Sequence, residues 1–103
     1  MSVANYPTQE EIILPLINAI SRRGGSIVFS RDGDDIEREL ADHFQLADAH
    51  RFETRPHINI KGRRVWRLNI QWARKKCVEK GLLNGSVRDV WSLTEKGRSA
   101  ATA

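Results

Sequence analysis

The sequence has few of the residues that build covalently or metal-braced scaffolds. Its 103 residues include one cysteine, Cys77, one methionine and three prolines. A lone cysteine excludes a disulfide framework and any multi-thiolate metal site within the chain. The longest apolar run, Ile12-Ile13-Leu14-Pro15-Leu16-Ile17, is far too short to span a bilayer. The opening MSVANYPTQE lacks both a basic and an apolar stretch, so no signal peptide is expected and the expected compartment is the cytoplasm. There are no repeats, no glycine-rich phosphate loop and no nucleophile constellation. His43, His50 and His57 recur at seven-residue intervals, but Pro56 interrupts a common helix and no carboxylate is fixed beside them. Neither a metal nor another cofactor is therefore expected. Glu79-Lys80 and Glu95-Lys96 match nuclease dyads only in residue type, because neither follows a strand carrying an upstream acid.

What is present fits one small soluble domain spanning 1–103, with a structured core of about 8–98. Hydrophobic residues make up 40% and charged residues 29% of the chain, values usual for a globular protein. A chain of this size buries roughly 60–65% of its unfolded surface, enough for a core without staples. The net charge of +4 conceals an asymmetry. Residues 1–50 carry four Lys/Arg and nine Asp/Glu, a net of −5. Residues 51–103 carry thirteen and four, a net of +9. Such a split predicts one basic face, and a polyanionic partner is one use for it.

The pattern along the chain is mainly helical. Thr8-Gln9-Glu10-Glu11 reads as a capping box, followed by an apolar stripe of Ile13, Leu16, Ile17 and Ile20. Pro15 removes an amide donor from this helix and is expected to kink it or split its first turn. Gly24-Gly25 ends it. Ser26 to Ser30 reads as a short strand, and Asp34 opens a second helix that buries Ile36, Leu40, Ala41 and Phe44. Asp35, Glu39 and Asp42 are expected to face water. A turn or two of helix over Leu46 to Phe52 precedes the break at Arg55-Pro56. His57 to Gly62 reads as loop or a short extended piece.

Residues 63–80 give the clearest helix. Trp66, Ile70, Ala73 and Cys77 form its inward stripe, and Cys77 reads as a small core residue. Gly81 ends it and Leu82-Leu83 re-enters the core. Asn84-Gly85 is a turn signal, and Val87 to Leu93 alternates as a strand. Thr94 to Gly97 turns away, and both chain ends, Met1 to Tyr6 and Ser99 to Ala103, are expected to fray. The order helix, strand, helix, weak segment, long helix, hairpin predicts an α+β fold. Its arrangement is a winged helix-turn-helix with three helices and a small three-stranded antiparallel sheet.

The same residues resemble a known family. Trp66-Arg67-Leu68-Asn69-Ile70-Gln71-Trp72-Ala73-Arg74, then Gly81-Leu82-Leu83, then Val90 to Arg98 with its Thr94-Glu95-Lys96-Gly97, is similar to the N-terminal winged-helix domain of Mrr-like restriction endonucleases. Ile13 to Ile20 looks like that family's proline-containing first helix. The resemblance implies a DNA-recognition module of a modification-dependent restriction or defence nuclease. With the hairpin ending close to residue 98, a binding module without the family's separate nuclease domain is expected, so no catalytic activity. The implied partner is double-stranded DNA, modified or not. A nuclease domain and a second copy of the chain are further partners left open.

The candidate surface follows from charge and phase. Residues 61–80 carry eight basic residues against Glu79 alone. Each cation that meets a phosphate releases a counterion, which gives affinity that falls with salt. Arg67 and Gln71 have the geometry to read guanine and adenine edges respectively. Lys61, Arg63 and Arg64 lie at or just before the helix start, Arg74 and Lys75 suit phosphates, and Arg88 occupies the wing. Asn69 is expected near the core side. Trp91 is expected to pack on the helices from the hairpin. Trp72 lies on a flank, where an aromatic more commonly closes a seam between helices than stacks on an extruded or methylated base. The alternative function is a winged-helix protein-interaction module, with contact through the acidic helix 34–44 or the apolar flank of the long helix.

Overall fold

Helix α1 (Gln9–Arg22) begins at the capping box. The Thr8 hydroxyl accepts from the Glu11 amide at 3.1 Å, and the Glu11 carboxylate accepts from the Thr8 amide at 2.8 Å. A computed structural model describes residues 6–54 and 64–102. Within it α1 is continuous through Pro15. It is followed by β1 (Ser26–Val28), α2 (Phe29–His43), α3 (Asp48–Arg51), α4 (Val65–Glu79), β2 (Leu83–Asn84), β3 (Val90–Leu93) and α5 (Glu95–Ala100). The strands form one antiparallel sheet in the order β1-β3-β2. Ile27 pairs with Trp91, and Leu83 with Leu93. This is the α+β winged-helix arrangement, with five helices among the described residues where three are expected. The two further helices are short: α3 falls within Leu46 to Phe52, where a turn or two of helix is expected, and α5 is an addition. Among the described residues no helix is long and apolar enough to cross a membrane.

Three helices end in the same way. After α1, α2 and α4 the chain turns through positive φ at Gly24, Gln45 and Gly81. The next amide then reaches back to the carbonyl of the third-last residue of the helix: Gly25 to Ile20, Leu46 to Ala41, Leu82 to Cys77. This Schellman geometry satisfies orphan carbonyls and returns an apolar residue to the core at Leu46 and Leu82. Gln45 makes this turn at φ 55° without glycine's freedom.

Helix α4 packs its inward stripe against α1. Trp66, Ile70, Ala73 and Cys77 are fully buried among Ile12, Leu16, Ile17 and Ile20. The Trp66 indole donates to the Glu37 carbonyl at 3.0 Å, which ties α4 to α2. Phe29 and Trp91 stack with ring centroids 4.0 Å apart and join α2 to the sheet.

Several boundaries differ from the sequence expectations. Helix α2 starts at Phe29, not Asp34, because two carboxylates cap it. Asp32 accepts from the Val28 amide at 3.0 Å, and Asp89, from the far hairpin, accepts from the Ser30 amide at 3.0 Å. Strand β3 starts at Val90, not Val87, since Asp89 at φ 68° has left the extended region. Residues 94–100 form a capped helix instead of a simple turn. Thr94 accepts from the Gly97 amide at 3.0 Å. The ends are also better fixed than expected. The Tyr6 hydroxyl donates to the His50 carbonyl at 2.9 Å, and the Thr102 amide donates to Asn18 at 2.7 Å. The segment His57 to Gly62 lies outside the described residues.

Candidate nucleic-acid interface

The charge asymmetry of the sequence is partly neutralised inside the scaffold. Glu37 is a buried carboxylate on α2, with 8% of its side chain exposed. It accepts from the Arg64 Nε and Nη2 and, at 3.2 Å, from the Arg67 Nη1. Arg67 also pairs with Asp34 at 2.8 Å, and its guanidinium lies 4.6 Å from the centre of the Phe29 ring. Arg67 packs so closely on α2 that a Cβ at Gly33 would lie 2.6 Å from its Nη2. Hydrogen bonding to Glu37 raises the Arg64 pKa above its ordinary value. Arg64 lines a separate cavity of about 330 Å³ between α2, α3 and α4, with Trp66 and Phe52. Arg64, expected at the helix start, and Arg67, expected to read a base edge, thus both bridge α4 to α2.

Other cations are held likewise. Arg22 and Arg23 pair with Glu39, Arg51 with Asp42, and Arg38 with Asp35. Glu39 therefore does not simply face water as expected. Burial pushes its pKa up, but the hydrogen bonds and charge of Arg23 and Arg22 outweigh this and hold it below the usual value. Lys76 and Lys80 flank Glu10 at 3.5 and 3.4 Å.

A different set remains. Among the described residues, no carboxylate forms an ion pair with Arg74, Lys75 or Arg88. Gln71, Arg74 and Arg88 line one groove of about 880 Å³ between α4 and the β2–β3 loop, with Phe29, Asp89 and Trp91. The Arg74 guanidinium lies 5.8 Å from the Trp91 ring centre, and its buried Nε has no acceptor among the described residues. Gly85 at the wing base faces Val78 of α4, so closely that an added Cβ would lie 2.9 Å from it. The Asn84 side chain accepts from the Ser86 amide at 2.9 Å and shapes the turn. Arg88 is exposed beyond it. Lys61 and Arg63 lie outside the described residues.

The tryptophans divide as follows. Trp66 and Trp91 are core, as expected. Trp72 does not close a seam: it is 51% exposed, with the Lys75 ammonium 5.3 Å from its ring centre. The phase of α4 turns it outward, and no neighbouring helix covers it among the described residues. Asn69 is half-buried and lines a hollow beside the start of α1. Sequence reasoning missed Glu37, Asp34 and Asp89. Glu37 was within reach, since it shares a helical stripe with Ala41 and Phe44. Asp89 gave no local signal, because its partners lie about sixty positions away.

Among the described residues no group of three His, Cys, Asp or Glu side chains is placed to hold a metal ion. Burial, with Glu10 nearby, pushes the Cys77 thiol up to about 12, which keeps it protonated and inert.

Neither a curated protein nor a solved structure matches the chain. The profile of the family described as the Mrr N-terminal domain matches residues 10–103. That match takes in α1 from Glu10 on, the long α4 and the Gly-Leu-Leu and Thr-Glu-x-Gly segments around the wing, and with it the chain belongs to the Mrr N-terminal domain family, which is associated with restriction-enzyme-like proteins.

Proposed function

We propose that this domain binds double-stranded DNA as the target-recognition module of a modification-dependent restriction or defence nuclease, and that it is itself non-catalytic. The supporting observation is where the cations without carboxylate partners among the described residues lie: Lys96 and Arg98 are on α5, while Arg74, Lys75 and Arg88 collect along α4 and the wing, around Gln71. In this reading α4, about 22 Å long, enters the major groove. Gln71 faces base edges, Arg74 and Lys75 meet phosphates, and Arg88 reaches the backbone or minor groove from the wing. Lys61 and Arg63 are proposed phosphate contacts on their sequence position alone. Arg64 and Arg67 act at one remove, by fixing α4 on α2. The protein-interaction alternative has less support from the acidic helix, since Asp34, Asp35, Glu37, Glu39 and Asp42 already have cationic partners.

Fluorescence anisotropy with a labelled duplex at about 50 and 200 mM salt tests this reading. Measurable binding that weakens steeply with salt is expected, and Arg74→Ala with Arg88→Ala should weaken it at unchanged melting temperature. No binding at the lower salt overturns the proposal. A panel of unmodified, adenine-methylated and cytosine-modified duplexes then reads any preference for modification.

A further inference from the structure

The loop between β2 and β3 ends in a residue with two jobs. Asp89 has φ 68°, a region that L side chains enter at a cost unless something holds them there. Here three hydrogen bonds do so. Its carbonyl accepts from the Phe29 amide at 2.8 Å. One carboxylate oxygen accepts from the Ser30 amide at 3.0 Å, and the other accepts from the Ser30 hydroxyl. The first turn of α2 is therefore capped from a different part of the chain, by the residue next to the exposed Arg88. Val28, at the cap position itself, has no side-chain acceptor to offer.

We propose that Asp89 is a positioning residue that sets the direction of Arg88 by anchoring the wing to the start of α2. The inference rests on the DNA-binding reading. Without the carboxylate, this end of the loop would keep only backbone links to the start of α2: the Phe29 amide on the residue 89 carbonyl and the pairing of Val28 with Val90. A carboxylate facing a polyanion is electrostatically unfavourable, so its presence in the groove lining calls for a compensating function. Holding the adjacent cation in one place reduces the entropy that Arg88 loses on contact with a phosphate. The two residues should therefore act on affinity as a unit.

The test uses the whole chain and a labelled duplex. Asp89→Gly removes the cap without adding backbone strain, because glycine accepts positive φ. Asp89→Asn keeps one acceptor for the Ser30 amide and tolerates the same φ. Asp89→Gly should weaken binding about 5- to 10-fold, and Asp89→Asn should restore it to within about 2-fold of the unaltered protein. In an Arg88→Ala background, Asp89→Gly should have no further effect. Amide exchange at Ser30 in the free protein should accelerate in Asp89→Gly and not in Asp89→Asn. Equal losses from Asp89→Gly with and without Arg88 would overturn the proposal in favour of a purely scaffolding role. A gain in affinity from Asp89→Gly would overturn it in favour of simple charge repulsion. If the unaltered protein binds no duplex, the DNA reading fails, and the proposal that Asp89 aims Arg88 at DNA fails with it; faster exchange at Ser30 would then identify a wing anchor without that use.

Discussion

Gly97 shows how a single atom decides a contact. A Cβ at this position would lie 2.1 Å from the Leu82 carbonyl oxygen, inside any tolerable separation. The neighbouring Thr94 caps α5 with its hydroxyl and also donates that hydroxyl to the Gly81 carbonyl. Its amide donates to the Leu82 carbonyl at 3.1 Å. The Gly-Leu-Leu and Thr-Glu-x-Gly segments are therefore two halves of one junction between the end of α4 and α5. Gly97→Ala is expected to destabilise the domain by about 3 kcal/mol, because backbone on both sides has to move. Chemical denaturation measures it. Cys77 gives a second prediction at this scale. Its thiol pKa of about 12 and its burial predict no alkylation of the folded protein at pH 8, and rapid alkylation once denaturant unfolds it.

Among the elements, α2 has the most external support. The Asp32 carboxylate is held down to about 2, first by its hydrogen bond from Arg31 and then by the one from the Val28 amide. A depressed carboxylate stabilises the fold above its unfolded value of 3.8 and loses that contribution as pH falls toward 2. Asp32→Asn should accordingly flatten the fall in melting temperature between these two pH values, measured by thermal melts across the acid range. The clamp between α2 and α4 predicts a contrast between two arginines of the same helix stripe. Arg67→Ala should destabilise the protein by about 1–3 kcal/mol, since it strips a partner from the buried Glu37. Arg74→Ala should leave stability within about 0.5 kcal/mol, since among the described residues it breaks no ion pair. Helical phase alone puts Arg67, Gln71 and Arg74 on one surface. It does not say that the upper part of that surface meets carboxylates of α2. The existence of α2 was likewise legible from Ile36, Leu40 and Ala41, while its first turn was not, because half of its carboxylate cap comes from the distant Asp89.

For the whole molecule, the useful charge is what remains after internal pairing. If Arg74, Lys75 and Arg88 each displace a counterion, they contribute about −2.7 to the slope of log affinity against log salt. Replacing all three by alanine should remove about that much slope, while an Arg64 variant should lose stability before it changes the slope. The groove joining α4 to the wing is formed by residues from α2, α4, the loop and β3. Its existence depends on the sheet order β1-β3-β2, which brings Asp89 and Trp91 against Phe29.

The sequence by itself determined the winged-helix class, the capping box at Thr8, the buried stripe of α4 and the helix stop at Gly81. Each is a local signal carried by periodicity or by backbone preference within a few residues. Tertiary structure decided which cations are clamps and which have no carboxylate partner among the described residues, where α2 begins, and that Trp72 is exposed. Those outcomes depend on partners distant along the chain: Glu37 for Arg64 and Arg67, Asp89 for Ser30, and for Trp72 the lack of a covering helix among the described residues. Ion pairing and capping act over a few ångströms of space, whatever the separation in sequence, so only the folded chain assigns them.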